Sequence, residues 1–446
     1  MSGPVLPTER VPAERVPVEF AGPGAGTGEL SWGMWEIWHA MAAQRSALPI
    51  GGRTALPAGS TVAGVAGELR YLMGRFPSMR TRLRFDPAGR PTQRLFDAGR
   101  IDLEVFDAGG SDPGAVAEAV ELRYRAVPFD YAEEWPVRMA VVRDATGAAA
   151  QLVSVMHHLV ADAAGGAIML REVAARSEAP VTGLQQLEQA AWQRSPAGVR
   201  QNARALRHWE RVLRAVPARR FPPVAAPAPG TPTHWTGAYL SAELPGALRA
   251  LAGRTGSNPR TVLLALYALA LRGSVGGGPV VVRPVVNNRF RSALSDVVCM
   301  AAQAGVVVLD VAGADLAEAV ERTARATLAG YKHAWFHPED LDALIARVSA
   351  ERGEPVEVRC FFNDRSAHAP SPAGPSTAAP DREFRWVRRA DLAGPVLQVQ
   401  FEDAPGGLLV EVLTDVRQFA AADAEALVRG IEELAVRGAL AAGGAR

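Results

Sequence analysis

Two spacings of apolar residues alternate along the chain. Short β-branched or alternating runs predict strands, and apolar positions three and four apart predict helices. The predicted strands are 16–20, 92–96, 101–106, 139–143, 152–158, 237–244, 280–286, 305–309, 356–363, 397–402 and 408–414. The main predicted helices are 30–43, 113–126, 260–271, 314–331 and 421–436. Because strands and helices mix in both halves, we expect an α/β fold with mixed sheets.

The chain is expected to form two domains, an N-terminal one at 1–178 and a C-terminal one at 179–446. Residues 180–215 are expected to alternate short helices with loops. A Pro/Ala-rich connector follows at 216–233, and such segments tend to be extended and exposed. A Ser/Ala/Pro-rich stretch at 365–381 predicts a surface loop or lid.

One stretch, 151–173, combines an apolar strand pattern with a helical one. The strand pattern ends at Met156, and the helical spacing resumes at Ile168. Between them stand His157, His158 and, four residues later, Asp162. Successive strand residues point to opposite faces, so one histidine at most faces any given cavity. Asp162 occupies a typical helix N-cap position. On the residues alone, a structural histidine pair beside a cap stays open as an alternative to a site.

Composition narrows the classes of partner. The chain has 446 residues, 48% hydrophobic and 21% charged, with a formal net charge of +1. Neither nucleic acid nor an anionic membrane is therefore expected as a partner. The two cysteines, Cys299 and Cys360, fit a reducing compartment. With neither a signal-peptide pattern nor an apolar run of membrane-spanning length, we expect a cytoplasmic protein.

Other candidate chemistry is weaker. His333 and His337 lie four apart, a spacing that holds a metal on a helix, but no third ligand is in register and Pro338 follows, so we expect no metal. The glycine-rich stretch 22–28 fits no phosphate-binding motif and is expected to be a loop. A Gly-x-Ser-x-Gly nucleophile motif is absent, which disfavours an acyl-enzyme.

The stretch around His157 and His158 resembles the His-His-x-x-x-Asp-Gly signature of condensation domains from nonribosomal peptide synthetases. These belong to the chloramphenicol-acetyltransferase-like acyltransferases. Arg75, Arg80 and Thr81 are similar to a second motif of that family, and the likeness extends over nearly the whole chain. It implies two chloramphenicol-acetyltransferase-like lobes arranged in a V, with a tunnel between them.

The resemblance also implies roles for individual residues. The second histidine, His158, would be catalytic, handling the proton of an amine or hydroxyl acceptor that attacks a thioester. His157 would be structural. Asp162 would point away from the tunnel and form a buried ion pair with Arg289.

The chain departs from the family pattern at several tunnel-lining candidates. Ala163 replaces the signature glycine, and Gly165 stands where a serine is usual. Further on, Cys299 replaces a glycine, and Gln303 lies in a segment that has lost the family's Phe-Val-Asn-Thr. These changes suggest an unusual substrate but leave the histidines in place.

The resemblance therefore implies a free-standing condensation enzyme of natural-product biosynthesis. It would join an acyl or aminoacyl group, carried on the phosphopantetheine of a carrier protein in trans, to a small-molecule or carrier-bound acceptor, with no bound cofactor. One alternative is an acyltransferase that uses acyl-CoA. Another is a non-catalytic docking module of the same fold.

Overall fold

The computed structural model describes residues 11–225, 227–275, 278–366 and 383–441. Contacts divide the chain into two compact units. The first contains the described residues up to Ser195 together with Arg289–Ala301. The second contains Pro196–Asn288 and the described residues that follow Ala301. The predicted loop at 365–381 falls almost entirely outside the described residues.

The first unit alternates strands and helices. In chain order they are β1 (Glu14–Ala21), β2 (Gly26–Glu29), α1 (Trp32–Gln44), β3 (Ile50–Ala55), α2 (Val62–Arg75), β4 (Thr81–Phe85), β5 (Pro91–Leu95), β6 (Ala98–Asp107), α3 (Pro113–Ala126), β7 (Val137–Arg143), β8 (Ala149–Met156), α4 (Ala163–Ala175) and α5 (Gln186–Arg194).

A five-stranded sheet forms the centre of this unit, with the strand order β1-β6-β7-β8-β3. Strands β6 and β7 are parallel and α3 connects them, as a parallel pair requires a crossover. Strands β7 and β8 form the predicted antiparallel hairpin. In its turn, the Asp144 carboxylate accepts hydrogen bonds from the Thr146 and Ala148 amides, at 2.8 and 3.1 Å. The hairpin thereby positions the end of β8, from which the His157–His158 motif follows.

The division after Ser195 lies beyond the boundary expected after residue 178. The reason is α5, which packs on β2 of a separate three-stranded sheet, β2-β5-β4. The Gln186 amide oxygen accepts a hydrogen bond from the Thr81 hydroxyl at 3.3 Å, so the start of α5 is bonded to the first unit.

The second unit is again mixed. Its elements are α6 (Pro196–Ala215), β9 (His234–Ser241), α7 (Leu244–Thr255), α8 (Pro259–Arg272), β10 (Val280–Val286), β11 (Gln303–Ala304), β12 (Val307–Leu309), α9 (Leu316–Lys332), α10 (Pro338–Arg352), β13 (Cys360–Asp364), β14 (Arg385–Ala390), β15 (Leu397–Ala404), β16 (Gly407–Asp415) and α11 (Ala421–Leu440).

Its sheet has eight strands in the order β11-β10-β13-β15-β16-β9-β14, with β12 also paired to β10. The predicted hairpin of β15 and β16 turns at Pro405-Gly406, where Gly406 has φ 86°. Proline first and a positive-φ glycine second is a favourable turn sequence. Helix α8 is buried almost all round, as predicted, and packs with α7, α9 and α11. The mixed α/β class is confirmed in both units.

Several elements differ from the sequence predictions. Most of 180–215 is a single long helix, α6, because Ala205, Trp209 and Leu213 recur at a helical spacing and are fully buried. The strand predicted over 356–363 begins only at Cys360. The glycine-rich loop gives way at Gly26 to β2. Strand β3, which contains two glycines, carries too weak a strand signal to be predicted.

Among the described residues, helices that are both long enough and apolar enough to span a membrane are lacking.

Candidate active site

The turn between β8 and α4 carries both motif histidines, and backbone hydrogen bonds fix it. The His157 amide donates to the Pro136 carbonyl at 3.2 Å, and the His158 amide donates to the Ala47 carbonyl at 3.2 Å. Within the turn, the Val160 amide donates to the His157 carbonyl at 3.3 Å. The two imidazoles therefore leave a rigid backbone in defined directions.

The His157 ring is buried and uncharged. It is 5% exposed and packs edge-on against Phe129 and Tyr131, with ring centroids 5.3 and 5.2 Å away. Burial lowers the pKa of His157 to about 3, and the nearby charges of His158 and Arg138 act in the same direction. Its Nδ1 has no hydrogen-bond partner in the described part of the chain. These contacts agree with a structural role for this residue.

The Nδ1 atom of the His158 ring bonds to the backbone. This atom lies 3.1 Å from the Ala161 carbonyl oxygen. A carbonyl oxygen only accepts, so Nδ1 carries the proton and donates it. In the neutral ring the lone pair is then on Nε2. The side chain is half-buried, in contrast to its neighbour. The turn thus presents an imidazole whose tautomer suits proton uptake at Nε2.

Asp162 ends the turn and caps α4, as the sequence predicted. Its Oδ1 accepts a hydrogen bond from the Gly165 amide at 2.7 Å. Its Oδ2 accepts from Arg289 Nη1 at 2.8 Å and from the Ala301 amide at 3.0 Å. The carboxylate is 4% exposed, and the predicted buried ion pair with Arg289 is confirmed.

Arg289 extends this network into its own segment. Its Nη2 donates to the carbonyls of Val297 and Cys299, at 3.0 and 3.2 Å. Burial by itself lowers the pKa of Arg289, but the charge of Asp162 and the hydrogen bond to it outweigh burial, so the pKa is raised. The guanidinium therefore stays charged and ties residues 289–301 to the start of α4.

The two substituted positions of the signature have different surroundings. Ala163 is the first residue of α4, is exposed, and is not among the described residues with positive φ, so a glycine is not needed there. Gly165 is enclosed. A Cβ on Gly165 would lie 2.9 Å from Arg289 Nη2 and 3.0 Å from the Cys299 carbonyl oxygen. Gly165 therefore permits the close approach of α4 and the arginine segment.

Gln303, a tunnel-lining candidate, belongs to the second unit and is 1% exposed. Its Nε2 donates to the Phe336 carbonyl at 3.0 Å, and its Oε1 accepts from the Phe336 amide at 3.3 Å. These reciprocal bonds give the side chain a structural function in its own unit. Its role as a lining residue stays a prediction.

Sequence reasoning missed the glutamines of α5. Gln186 donates to the Leu159 carbonyl at 3.3 Å, inside the histidine turn, and Gln189 donates to Cys299 Sγ at 3.0 Å. Burial raises the pKa of the Cys299 thiol to about 12, so this sulfur stays protonated. The signal was present, since Gln186, Gln189 and Gln193 recur at a helical spacing and all three are buried.

The histidines considered for a metal do not share a helix. His333 follows the end of α9 and His337 precedes the start of α10. His333 instead stacks on His208, with ring centroids 4.7 Å apart. The described residues contain no group of three or more His, Cys, Asp or Glu side chains that could hold a metal ion.

The family model for the condensation domain matches residues 61–359, which include the histidine turn, Asp162 and Arg289. The chain belongs to the condensation domain family. The resemblance predicted from the sequence is confirmed.

Two curated relatives are much longer than this chain. This condensation domain is 26% identical over 288 residues to CymA of Salinispora arenicola, a probable non-canonical nonribosomal peptide synthetase, covering 60% of this chain and 4% of that protein. It is 28% identical over 255 residues to the phosphinothricin tripeptide synthetase PhsC of Streptomyces viridochromogenes, covering 53% of this chain and 23% of that one. The chain therefore spans less than a quarter of either relative.

A solved condensation domain, which mediates chain release from the enacyloxin polyketide synthase, shares the fold. It has a TM-score of 0.73 and 20% identity, and the match covers 96% of this chain and 85% of that one. At this identity the likeness concerns the fold alone.

Removal of the Asp162 carboxylate should destabilise the condensation domain. We expect Asp162→Ala to lower the free energy of unfolding by about 3–5 kcal/mol, because Arg289 stays buried without its partner. Urea denaturation measures this loss. Hydrogen exchange of the Gly165 and Ala301 amides should also become faster, since both donate to this carboxylate.

Asp296→Ala is the matched control for that variant. Asp296 also joins the 289–301 segment to α4, through Arg171, but at 3.4 Å and with both side chains more than 60% exposed. An exposed pair contributes little, so a change within about 0.5 kcal/mol is expected. Equal losses in the two variants would contradict the buried pair as the source of stability.

Gly165→Ala and Gly166→Ala form a second test. The first variant forces a Cβ against Arg289 and Cys299 and should destabilise by about 1–3 kcal/mol. A Cβ at Gly166 meets nothing within 4 Å, so that variant should be neutral or more stable by up to about 1 kcal/mol. Thermal denaturation compares the two variants. A change in stability of the same sign in both variants would refute the close approach at Gly165.

Stability should fall in acid through His157. Its pKa is about 3 when folded against an ordinary value of 6.5, so the unfolded chain binds the proton more tightly. The contribution of neutral His157 to the free energy of unfolding is therefore fully present above pH 6.5 and is lost as the pH falls towards 3. The loss amounts to about 3 kcal/mol over the first two to three pH units below 6.5. His157→Phe removes this titration. Urea denaturation between pH 7 and pH 4 should show that the free energy of unfolding falls less steeply with pH in this variant than in wild type. An equal dependence on pH in the two proteins would exclude His157 as the source of the acid sensitivity.

Proposed function

We propose that this chain transfers an acyl or aminoacyl group from a carrier-protein thioester to an amine or hydroxyl acceptor. Membership of the condensation domain family supports amide or ester bond formation of the kind found in nonribosomal peptide synthetases. The nature of the donor and acceptor, and delivery of the donor in trans on phosphopantetheine, are part of this proposal.

The observation that carries the proposal is the hydrogen bond from His158 Nδ1 to the Ala161 carbonyl. It leaves the Nε2 lone pair of the neutral ring as the proton acceptor. General bases of this type accelerate proton transfers by about 100- to 10,000-fold. In the alternative tautomer, the protonated Nε2 would be unable to take a proton from an acceptor.

In the proposed reaction, the acceptor nitrogen or oxygen attacks the thioester carbonyl. A carbon–nitrogen or carbon–oxygen bond forms and the carbon–sulfur bond breaks. His158 takes the proton of the acceptor and returns it to the departing thiol, so the imidazole ends neutral. Asp162 and Arg289 act at a distance from the chemistry, by fixing the start of α4 and hence the end of the turn.

His158→Ala should abolish most product formation while the fold is kept. We expect turnover to fall by about 100- to 10,000-fold with an acyl group loaded on a holo carrier protein and a panel of amine and alcohol acceptors. Mass spectrometry of the products measures it. His39→Ala, which removes a half-buried histidine packed on Trp35 in α1, is the control and should keep its activity.

The same assay separates the alternatives. Unchanged turnover in His158→Ala would refute the catalytic role of this imidazole. If acyl-CoA serves as well as the carrier-bound donor, the carrier requirement is wrong and a CoA-dependent transferase is indicated. If folded wild-type protein uses neither donor with any acceptor, the transferase proposal fails.

A further inference from the structure

Helix α6 presents a row of arginines along one face. Its arginines recur at spacings of four and three residues, which places them on one side of a helix. They are Arg200, Arg204, Arg207, Arg211 and Arg214, and all are exposed. The opposite side of α6 packs into the second unit through Ala205, Trp209 and Leu213. We call the exposed row the α6 arginine face.

Most of this face lacks ionic compensation. Arg214 pairs with Glu210 at 2.8 Å and with Glu351 at 2.6 Å. Glu210 also receives Arg347 at 3.2 Å. In the described part of the chain, the other four arginines make no ion pair with a carboxylate. Of the carboxylates beside the helix, Glu210 and Glu351 are thus engaged by arginines, and Asp340 accepts a hydrogen bond from Asn202 at 2.6 Å.

Like charges at this spacing repel each other. The chain as a whole carries a net charge of only +1, so the positive charge on α6 is a local concentration. Its field reaches the adjoining His333, whose pKa is lowered to about 4 by burial first, then by His208, Lys332, Arg211 and Arg204. Binding of a negatively charged partner would give a physical reason for the retention of these mutually repelling arginines.

A groove of about 480 Å³ lies beside the arginine face, between α6 and α10. Its apolar lining comes from Ala203, Leu206, Ala343 and Leu344, and the four charged residues Arg207, Glu210, Asp340 and Arg347 complete it. The same helix therefore offers a row of cations and, one step around its circumference, a depression with apolar and charged lining. An amphipathic partner could contact both, with its charged face on the arginines and its apolar face in the groove.

We infer that the α6 arginine face and this groove together dock an acidic amphipathic helix of a protein partner. From Arg200 to Arg211 the row is about 17 Å long at 1.5 Å per residue, close to three turns of a partner helix. Carboxylates at spacings of three and four on that helix would meet the arginines, while its apolar flank fills the groove. Because Glu210 and Asp340 line the groove, only an uncharged flank of the partner can enter it, and nucleic acid, with phosphates along its whole backbone, offers no such apolar flank.

Isothermal titration of the full chain with a 20-residue helical peptide tests the inference. The probe carries glutamates on one face and leucine and alanine on the adjoining face. Wild type should bind it, and binding should weaken at higher salt. The triple charge reversal R204E/R207E/R211E should weaken binding by about 100-fold, and the neutral R204Q/R207Q/R211Q by about tenfold.

The matched control reverses three exposed arginines elsewhere in the second unit, R249E/R260E/R388E, and makes the same change in net charge. It should bind the probe within about twofold of wild type. A probe with glutamine in place of glutamate should not bind. No binding by wild type, or equal weakening in both triple variants, would overturn the inference. Tighter binding of a DNA duplex or an anionic phospholipid vesicle, lost in R204Q/R207Q/R211Q, would overturn the choice of partner. The readout is binding alone, so it stands apart from the test of catalysis.

Discussion

The carboxylate of Asp162 is the constraint on which the first unit depends most. A side chain that is 4% exposed keeps its charge because N–H donors of three different residues converge on it. Each donor has a separate structural effect. The Gly165 amide starts a helix, Arg289 anchors a distant segment, and the Ala301 amide ends that segment. A buried charge tolerates little freedom in its partners. The backbone that carries the histidines inherits this rigidity.

The adjacent histidines show how one residue type behaves differently when the surroundings differ. His157 lies among aromatic rings, where the charged form is strongly disfavoured, and it behaves as an apolar filler with a fixed position. His158 is half-buried and is held by a carbonyl two residues before the helix. Both residues lie in the turn that follows β8, and their amides donate to different carbonyls, those of Pro136 and Ala47. The contrast between the two rings therefore comes from their surroundings and needs no difference in side-chain chemistry.

The local parts of this arrangement were predictable from the sequence, and the non-local ones were not. Strand β8, the turn and the capping Asp162 follow from spacing. The partnership with Arg289, 127 residues away, came from the resemblance, since no local pattern joins the two. Gln186 and Gln189 were overlooked because polar side chains on a short helix look solvent-facing until the packing is known. Strand β14 was also unpredictable, because its sequence is rich in exposed arginines and lacks an apolar strand pattern. It is an edge strand that pairs with β9, and this pairing is not visible in the sequence.

The long detour between Asp162 and Arg289 has a consequence for protein synthesis. On the ribosome, the aspartate emerges long before the arginine. At roughly 5–20 residues per second, a separation of 127 residues means a delay on the order of 10 s. In that interval the nascent first unit can form its hairpin and the cap to Gly165, yet the Asp162 carboxylate is solvated by water and lacks the arginine that later neutralises it. Completion of the motif must therefore wait for a stretch of chain that is translated within the next unit.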